Sequence, residues 1–212
     1  MPLSTDDLSG LAPPERLREV MQALATLDAI VCPEWVYRYY SFNTRWAAGE
    51  QMGSMRNGSG DELFVLFTAA GAFIKGFDHE RGWPAGARAQ DVYDHVPDAF
   101  RGGVEEPAFS PEWVTFCCWR TWEDDRWRAA SIQPSVAGGD GSEWMLAGLD
   151  GEPETYLAFA RDYYEVELDP GLVNAVYARA PMTAQMAAGL NPDVDFAWLQ
   201  GELDKIGYPV DR

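Results

Sequence analysis

A run of alternating apolar side chains in the first third of the chain most restricts how the protein can fold. Leu63, Val65 and Phe67 occupy one set of alternate positions, and Phe64 and Leu66 occupy the other. Because successive side chains of a strand point to opposite faces of a sheet, a strand formed here is apolar on both faces. This pattern is typical of a central strand that is covered on both sides, and we predict one here.

Turn residues on either side of this strand predict a hairpin. Asn57 and Gly58 precede it, and an Asn-Gly pair is a strong turn signal. Ala70 and Gly71 follow it and lead into Phe73–Phe77, which we predict to be its hairpin partner. The glycines after Asn57 also suggest a phosphate-binding loop, but that loop requires a following helix, so we interpret the segment as a turn.

A second hairpin is predicted later in the chain. Trp113–Arg120 and Arg126–Ile132 have strand composition and flank an acidic tip. Glu34–Tyr40 is aromatic and β-branched, and it is also predicted to be extended. Residues 78–111 are rich in Gly, Pro and charge, and we interpret them as a long excursion with one short helix near Asp98–Arg101.

Helical spacing of apolar residues precedes and follows these predicted strands. One helix begins near Pro14 and ends at Cys32, with proline in its first turn. Four more are predicted in the last third: one from Pro153, one over Leu172–Tyr177, one capped by Thr183, and one from Asn191 to Gly207. We predict an α+β fold, with a central, mainly antiparallel sheet of two hairpins on which the N-terminal helix and the C-terminal helices pack. Residues 1–12 are predicted to be a loose segment, and residues 13–212 a single domain.

Charge excludes several classes of partner. The chain has 34 acidic and 16 basic residues, a net charge of −18. Such a composition argues against nucleic-acid binding, which needs a basic patch, and against docking on anionic lipid. The N-terminal sequence has no secretory signal, and no apolar run approaches the length of a membrane span. We therefore predict a cytoplasmic protein.

The cysteines and one lysine are expected to be structural. Cys117 and Cys118 are adjacent in a predicted strand, so they point to opposite faces and are interpreted as inert core thiols. Cys32 leaves the count odd, which argues against a disulfide framework. Lys75 is expected to pack its stem on apolar side chains and to keep its ammonium group in water, and the alternative is that it pairs with a buried acid.

The highest concentration of reactive side chains follows the predicted strand Phe73–Phe77. His79, Glu80 and His95 are candidate catalytic residues for acid–base chemistry. Asp78, His79 and His95 are the candidate ligands of a divalent metal. Because no established ligand spacing is present, the alternative is that His79 satisfies backbone groups at a strand end and His95 is a loop residue.

Two further sets of residues are candidates for binding. Acidic side chains in the C-terminal third are expected to form one negative surface for a basic protein, and the candidate residues are Asp162, Glu165, Asp195 and Glu202. The alternative is a solvated face that keeps the protein soluble. The tryptophans of the second hairpin are expected in the core, although Trp122 is a candidate for lining a pocket.

Short motifs in a fixed order give the chain a resemblance to a family. They are SMRNGSGDE, KGFDHE, EPAFS, TFCCWR, DGS, PETY, YYE, LNPD and IGYP, and they extend from about Trp35 to Pro209. In this order they resemble a widespread family of uncharacterised bacterial proteins. The resemblance implies one contiguous domain and a bacterial source, and it implies no activity.

The function predicted from sequence is that of a non-catalytic binding or regulatory protein. The main physical reason for this prediction is the acidic surface expected to bind a basic partner. Immunity proteins of bacterial toxin systems are analogous in size, charge and fold class. One alternative is a hydrolase, metal-dependent or not, centred on His79, Glu80 and His95. Another is a small-molecule sensor with a Trp-lined pocket. No cofactor is predicted.

Overall fold

The computed structural model describes residues 3–81, 83, 86–132 and 139–211. Within these ranges the chain forms a six-stranded antiparallel sheet whose strands neighbour one another in sequence order. The strands are β1 (Tyr40–Ala47), β2 (Glu50–Arg56), β3 (Glu62–Thr68), β4 (Gly71–Phe77), β5 (Phe116–Thr121) and β6 (Arg128–Ser131).

Helices lie before, between and after these strands. They are α1 (Pro14–Val31), α2 (Ala89–Tyr93), α3 (Arg101–Val104), α4 (Ser142–Met145), α5 (Pro153–Tyr163), α6 (Pro170–Tyr177), α7 (Ala184–Leu190) and α8 (Phe196–Ile206). The predicted α+β fold is confirmed, because an N-terminal helix and a C-terminal set of helices surround an antiparallel sheet. Across the described ranges, none of the helices has the length and apolar character needed to cross a membrane.

Both predicted hairpins are present, but the sheet is larger than two hairpins. Strand β3 pairs with β4, and β5 pairs with β6. Strands β1 and β2 form a further hairpin, and β2 joins it to β3. The prediction that Glu34–Tyr40 is extended is wrong over most of this segment, because Trp35–Tyr37 is a 3₁₀ turn and β1 begins only at Tyr40.

Helix α1 occupies the middle of the main core. Its residues Leu17, Val20, Leu24 and Leu27 recur at helical spacing and are at most 1% exposed. The helix packs on β1 and β2, and it also contacts α6, α7 and α8. It is therefore the layer between the sheet and the C-terminal helices, which explains why 13 of the 18 residues of α1 are buried.

The segment between β4 and β5 covers the second face of the sheet. The Phe109 ring stacks on Phe64 with centroids 4.5 Å apart, and the Phe100 ring stacks on Phe73 at 6.2 Å. All four side chains are at most 1% exposed. Strand β3 is thus buried on both faces, as its alternating apolar side chains predict.

Lys75 differs from its expected position at the surface. Its side chain is buried on the same face as Phe64, and its ammonium group donates to the carbonyl oxygens of Phe109 and of Ser110, the latter at 3.2 Å. Burial lowers the pKa of Lys75 to about 8. The prediction that the ammonium group stays in water is therefore wrong, because the segment after β4 covers this lysine and supplies carbonyl acceptors.

Residues 3–12 contact the domain. Leu3 and Leu11 are buried, and the Thr5 hydroxyl donates to Asp140 at 2.6 Å. These contacts tether a segment that sequence composition predicts to be loose.

The two adjacent cysteines face opposite sides of the sheet. Cys118 packs in the core with α1, whereas Cys117 packs beneath the segment that covers the second face. Both thiols are free and buried, and burial raises the pKa of each.

Candidate functional site

The segment between α1 and β1 is held in a tight loop by one arginine. The Arg38 guanidinium donates to the carbonyl oxygens of Cys32 at 3.0 Å and Pro33 at 2.8 Å, and to the Glu202 carboxylate at 2.7 Å. Because these bonds fold the backbone around a buried guanidinium, the intervening aromatic side chains project outward. Trp35 is 59% exposed and Tyr37 is 65% exposed.

These aromatic residues form one wall of a cleft of about 610 Å³. The opposite sides are the end of β2 with the loop that follows it, and the C-terminal end of α5. A cleft of this size is in the usual range for small-molecule sites. The side chains most relevant to binding are Trp35, Tyr37, Ser54, Arg56, Ser59 and Tyr163.

A buried aspartate supports the floor of the cleft. The Tyr164 hydroxyl accepts a hydrogen bond from the Tyr39 amide at 3.0 Å and donates to Asp28 at 2.8 Å. Asp28 also accepts from the Tyr156 hydroxyl at 2.7 Å and from the Tyr40 amide at 2.6 Å. Burial raises the pKa of Asp28 to about 6, although all of these donors stabilise its charged form.

The titratable side chains of the cleft are poorly suited to proton transfer at neutral pH. Burial raises the pKa of the Cys32 thiol, which reduces its thiolate fraction. Burial likewise raises the pKa of Tyr39 to about 12 and raises that of Tyr163. General acid–base catalysis favours groups whose pKa lies near the working pH, so this lining favours binding over chemistry.

A histidine–aspartate pair lies beside the cleft. His79 Nδ1 is 2.7 Å from Asp61 Oδ1, and the His79 amide donates to the same oxygen at 2.8 Å. The hydrogen bond to Asp61 raises the pKa of His79. Burial opposes ionisation of Asp61, but its hydrogen bonds with His79 and Asn57 prevail and its pKa is lowered. The His79 side chain is 41% exposed. Because Nδ1 bonds to Asp61, Nε2 is the ring nitrogen that remains for another partner.

Asn57 connects this pair to the cleft. Its side-chain amide donates to Asp61 at 2.5 Å, and its backbone carbonyl accepts from the Tyr163 hydroxyl at 3.5 Å. Asn57 Oδ1 also accepts from the amides of Ser59 and Asp61, which fixes the turn between β2 and β3. The turn predicted from Asn57 and Gly58 is therefore present, with Gly58 at a φ of +75°.

Asp78 completes a group of three potential metal ligands. Ligand atoms of Asp61, Asp78 and His79 all lie within 4.8 Å of one another. Asp78 nevertheless accepts hydrogen bonds from the Arg81 guanidinium at 3.1 Å and from the Trp144 indole at 2.9 Å. Because the Arg81 cation already neutralises Asp78, the arrangement fits a structural ion pair better than a metal site.

The structure places one of the residues predicted to act with His79 in a close group with it. Asp78 is its neighbour in the cluster, but Glu80 and His95 are not members of any such group within the described part of the chain. Both side chains are exposed, and His95 follows α2. The partner of His79 is Asp61, which the sequence analysis did not single out.

The predicted acidic binding residues have different environments. Asp162 and Glu165 are exposed near the end of α5. Asp195 is the N-cap of α8 and accepts from the amide of Ala197 at 2.9 Å. Glu202 is only 13% exposed and pairs with Arg38.

The tryptophans of the second hairpin do not form one pocket. Trp119 and Trp127 are buried in different cores, and Trp113 is exposed. The Trp122 indole donates to the Thr68 carbonyl at 3.1 Å, which joins the β5–β6 loop to the β3–β4 turn. The tryptophan that lines the large cleft is Trp35, from outside the hairpin.

Hairpin register was the signal that could have identified Asp61. The β3–β4 pairing places Glu62 opposite Phe77. The residues next to this pair at the same end of the hairpin are Asp61, before Glu62, and Asp78, after Phe77. The cleft carried no comparable signal, because its walls come from segments distant in sequence.

Comparison of the chain with protein-family models, with curated proteins and with solved structures gives no match. The resemblance to an uncharacterised bacterial family therefore stays a prediction, and function is inferred from the geometry of the site.

Proposed function

We propose that the protein is a non-catalytic binding protein and that the cleft beside Trp35, Tyr37 and Tyr163 receives a small-molecule ligand. The observation that carries this proposal is the exposure of three aromatic side chains around one concave site. Large aromatic side chains are normally buried, and those exposed around a concavity provide ring-stacking surfaces for a ligand.

Rigid support of the walls favours ligand binding. Tyr163 packs edge-on against Tyr39 and Tyr164, with centroids 5.0 Å apart in each pair. The Arg38 guanidinium lies 5.5 Å from the Trp35 ring on the other wall. A preorganised site loses little conformational freedom when its ligand binds, which supports affinity.

A fragment screen by NMR tests this function. We expect fragments that contain an aromatic ring to shift the Trp35 indole signal of the ¹⁵N-labelled protein. Tyr37→Ser should weaken their binding about fivefold or more, since an exposed aromatic contact in a cleft is worth about 1 kcal/mol or more. Trp113→Ser is the matched control, because Trp113 is a similarly exposed aromatic residue that lies outside the cleft.

Two results would count against the proposal. In one, no fragment shifts the cleft signals at millimolar concentration. In the other, Tyr37→Ser and Trp113→Ser bind every fragment equally well.

The Asp61–His79 pair supports a second candidate, a hydrolase. An aspartate that orients imidazole through Nδ1 leaves Nε2 to accept a proton from water. We expect any hydrolysis of p-nitrophenyl acetate or p-nitrophenyl phosphate to be lost in His79→Gln and reduced in Asp61→Asn. The control His95→Gln should keep it, and equal rates in all four proteins would remove this candidate.

An acidic surface for a basic protein is a separate proposal about partners. Asp162 and Glu165 are its best-placed residues, since both are exposed and neither caps a helix.

A further inference from the structure

The cleft has a charge opposite to that of the chain. The protein carries 34 acidic and 16 basic residues, yet the charged residues that line the cleft are Arg38 and Arg56. None of the described acidic residues is part of its lining. A site that lacks carboxylates within so acidic a chain has the charge complementarity of an anion-binding site.

Arg56 is the arginine that can receive an anion. Arg38 already donates to three acceptors, and its side chain is 3% exposed. Arg56 is exposed, and among the described residues it forms no salt bridge, not even with its cross-strand neighbour Glu62. Its guanidinium lies 5.6 Å from the Phe64 ring, which holds the group beside the sheet.

Hydroxyl groups lie next to this arginine. Ser54 precedes Arg56 by two positions in β2, so both side chains point to the same face of the sheet. Ser54 is buried and its hydroxyl bonds to that of Ser41 at 2.6 Å, so the hydroxyls of the lining that a ligand can reach are those of Ser41 and Ser59. A guanidinium with nearby hydroxyl donors suits a carboxylate or a phosphate group.

We propose that the ligand of this cleft is a small aromatic compound that carries an anionic group. Its ring stacks on the exposed aromatic walls, and its carboxylate or phosphate binds Arg56. This inference rests on the proposed binding function and adds the charge class of the ligand.

The test uses three probes of one ring size. They are 4-hydroxybenzoate, the neutral 4-hydroxybenzamide, and phenyl phosphate, titrated by NMR at low ionic strength into the full-length protein. We expect at least one anion to bind about tenfold more tightly than the amide, because charge-assisted hydrogen bonds are about twice as strong as neutral ones. The stronger of the two anions identifies the carboxylate or the phosphate as the preferred group.

Arg56→Gln should abolish this preference, so that the anions and the amide bind with similar affinity. Arg45→Gln is the matched control, because Arg45 is an exposed arginine on the neighbouring strand and does not line the cleft. Melting temperatures of both variants should equal that of the wild type, since both side chains are exposed.

The outcomes separate the ligand class from the proposed function. If the amide binds as tightly as both anions, or if Arg56→Gln retains the preference, the inference is overturned and the binding function stands. If none of the three probes binds while other aromatic fragments do, the inference is again overturned. If nothing shifts the cleft signals, the proposed function itself fails.

Discussion

Asp28 links the stability of the fold to pH at the scale of a single residue. Its pKa is about 6 in the folded protein against 3.8 as the ordinary value. Between these pH values the folded protein retains a proton that the unfolded chain has lost, so the free energy of unfolding falls as the pH rises. This effect reaches about 3 kcal/mol, since each pH unit of difference is worth about 1.4 kcal/mol.

Asp28→Asn should remove this pH dependence, because an amide stays uncharged. Urea unfolding of wild type and variant at pH 4.5 and pH 7 isolates the contribution of Asp28, since other carboxylates titrate equally in both proteins. We expect the wild type to lose more stability than the variant between these pH values, and Asp162→Asn to behave like the wild type. An identical pH dependence in Asp28→Asn and wild type would show that folding does not raise the pKa of Asp28.

The Arg38–Glu202 pair gives a second prediction about single residues. Glu202→Gln leaves the nearly buried Arg38 guanidinium without its carboxylate, and we expect this to cost about 3 kcal/mol. Asp204→Asn on the same helix is the control, because its partner Arg45 is 70% exposed and such pairs contribute less than about 1 kcal/mol. Equal denaturant midpoints for the two variants would contradict this prediction.

At the scale of elements, β3 is the strand whose side chains pack into apolar clusters on both faces of the sheet. Its neighbours are β2 and β4, and Leu66 is 2% exposed between Met52 and Phe73. Its position explains why a central strand could be predicted from apolar alternation alone: both faces require partners.

Leu66→Asp should destabilise the protein by about 3 kcal/mol or more, because it places an unpaired carboxylate in the interior. Ala48→Asp in the exposed turn between β1 and β2 should change stability by less than about 0.5 kcal/mol. Thermal unfolding followed by circular dichroism measures both. An unchanged melting temperature in soluble Leu66→Asp would mean that β3 is not buried.

The acidic surface of the molecule can be tested by removing exposed charges that have no structural role. Asp162→Asn with Glu165→Asn removes two exposed charges, and asparagine tolerates the positive φ of 56° at position 165. Asp195 and Glu202 are left intact, because one caps α8 and the other pairs with Arg38.

We expect a basic protein from a lysate of the source cells to be retained by the wild type at low salt and lost by this double variant. Its binding should weaken at high salt, since screening shortens the range of charge attraction to about 8 Å at physiological strength. The control changes Glu123 and Asp125, in the β5–β6 loop, to Gln and Asn. Recovery of the same proteins by wild type and double variant would show that this surface only keeps the protein soluble.

Local signals in the sequence determined helices α1 and α5 to α8, both hairpins and the burial of β3. The apolar spacing of α1, the Thr183 cap and Gly207 at the end of α8 each act within a few residues, so the chain shows them directly. The position of His79 at the end of β4 was predictable for the same reason.

Contacts between distant segments decided the rest. The Glu34–Tyr40 segment has strand composition, yet Arg38 bonds to the carbonyl oxygens before it and to Glu202, 164 positions away. This contact turns a predicted strand into the aromatic wall of a cleft. Asp61 likewise meets His79 only through the pairing of β3 with β4. Composition sets local preference, but the exposure of Trp35 and the partner of His79 depend on which distant groups satisfy the hydrogen bonds, and only the tertiary structure decides that.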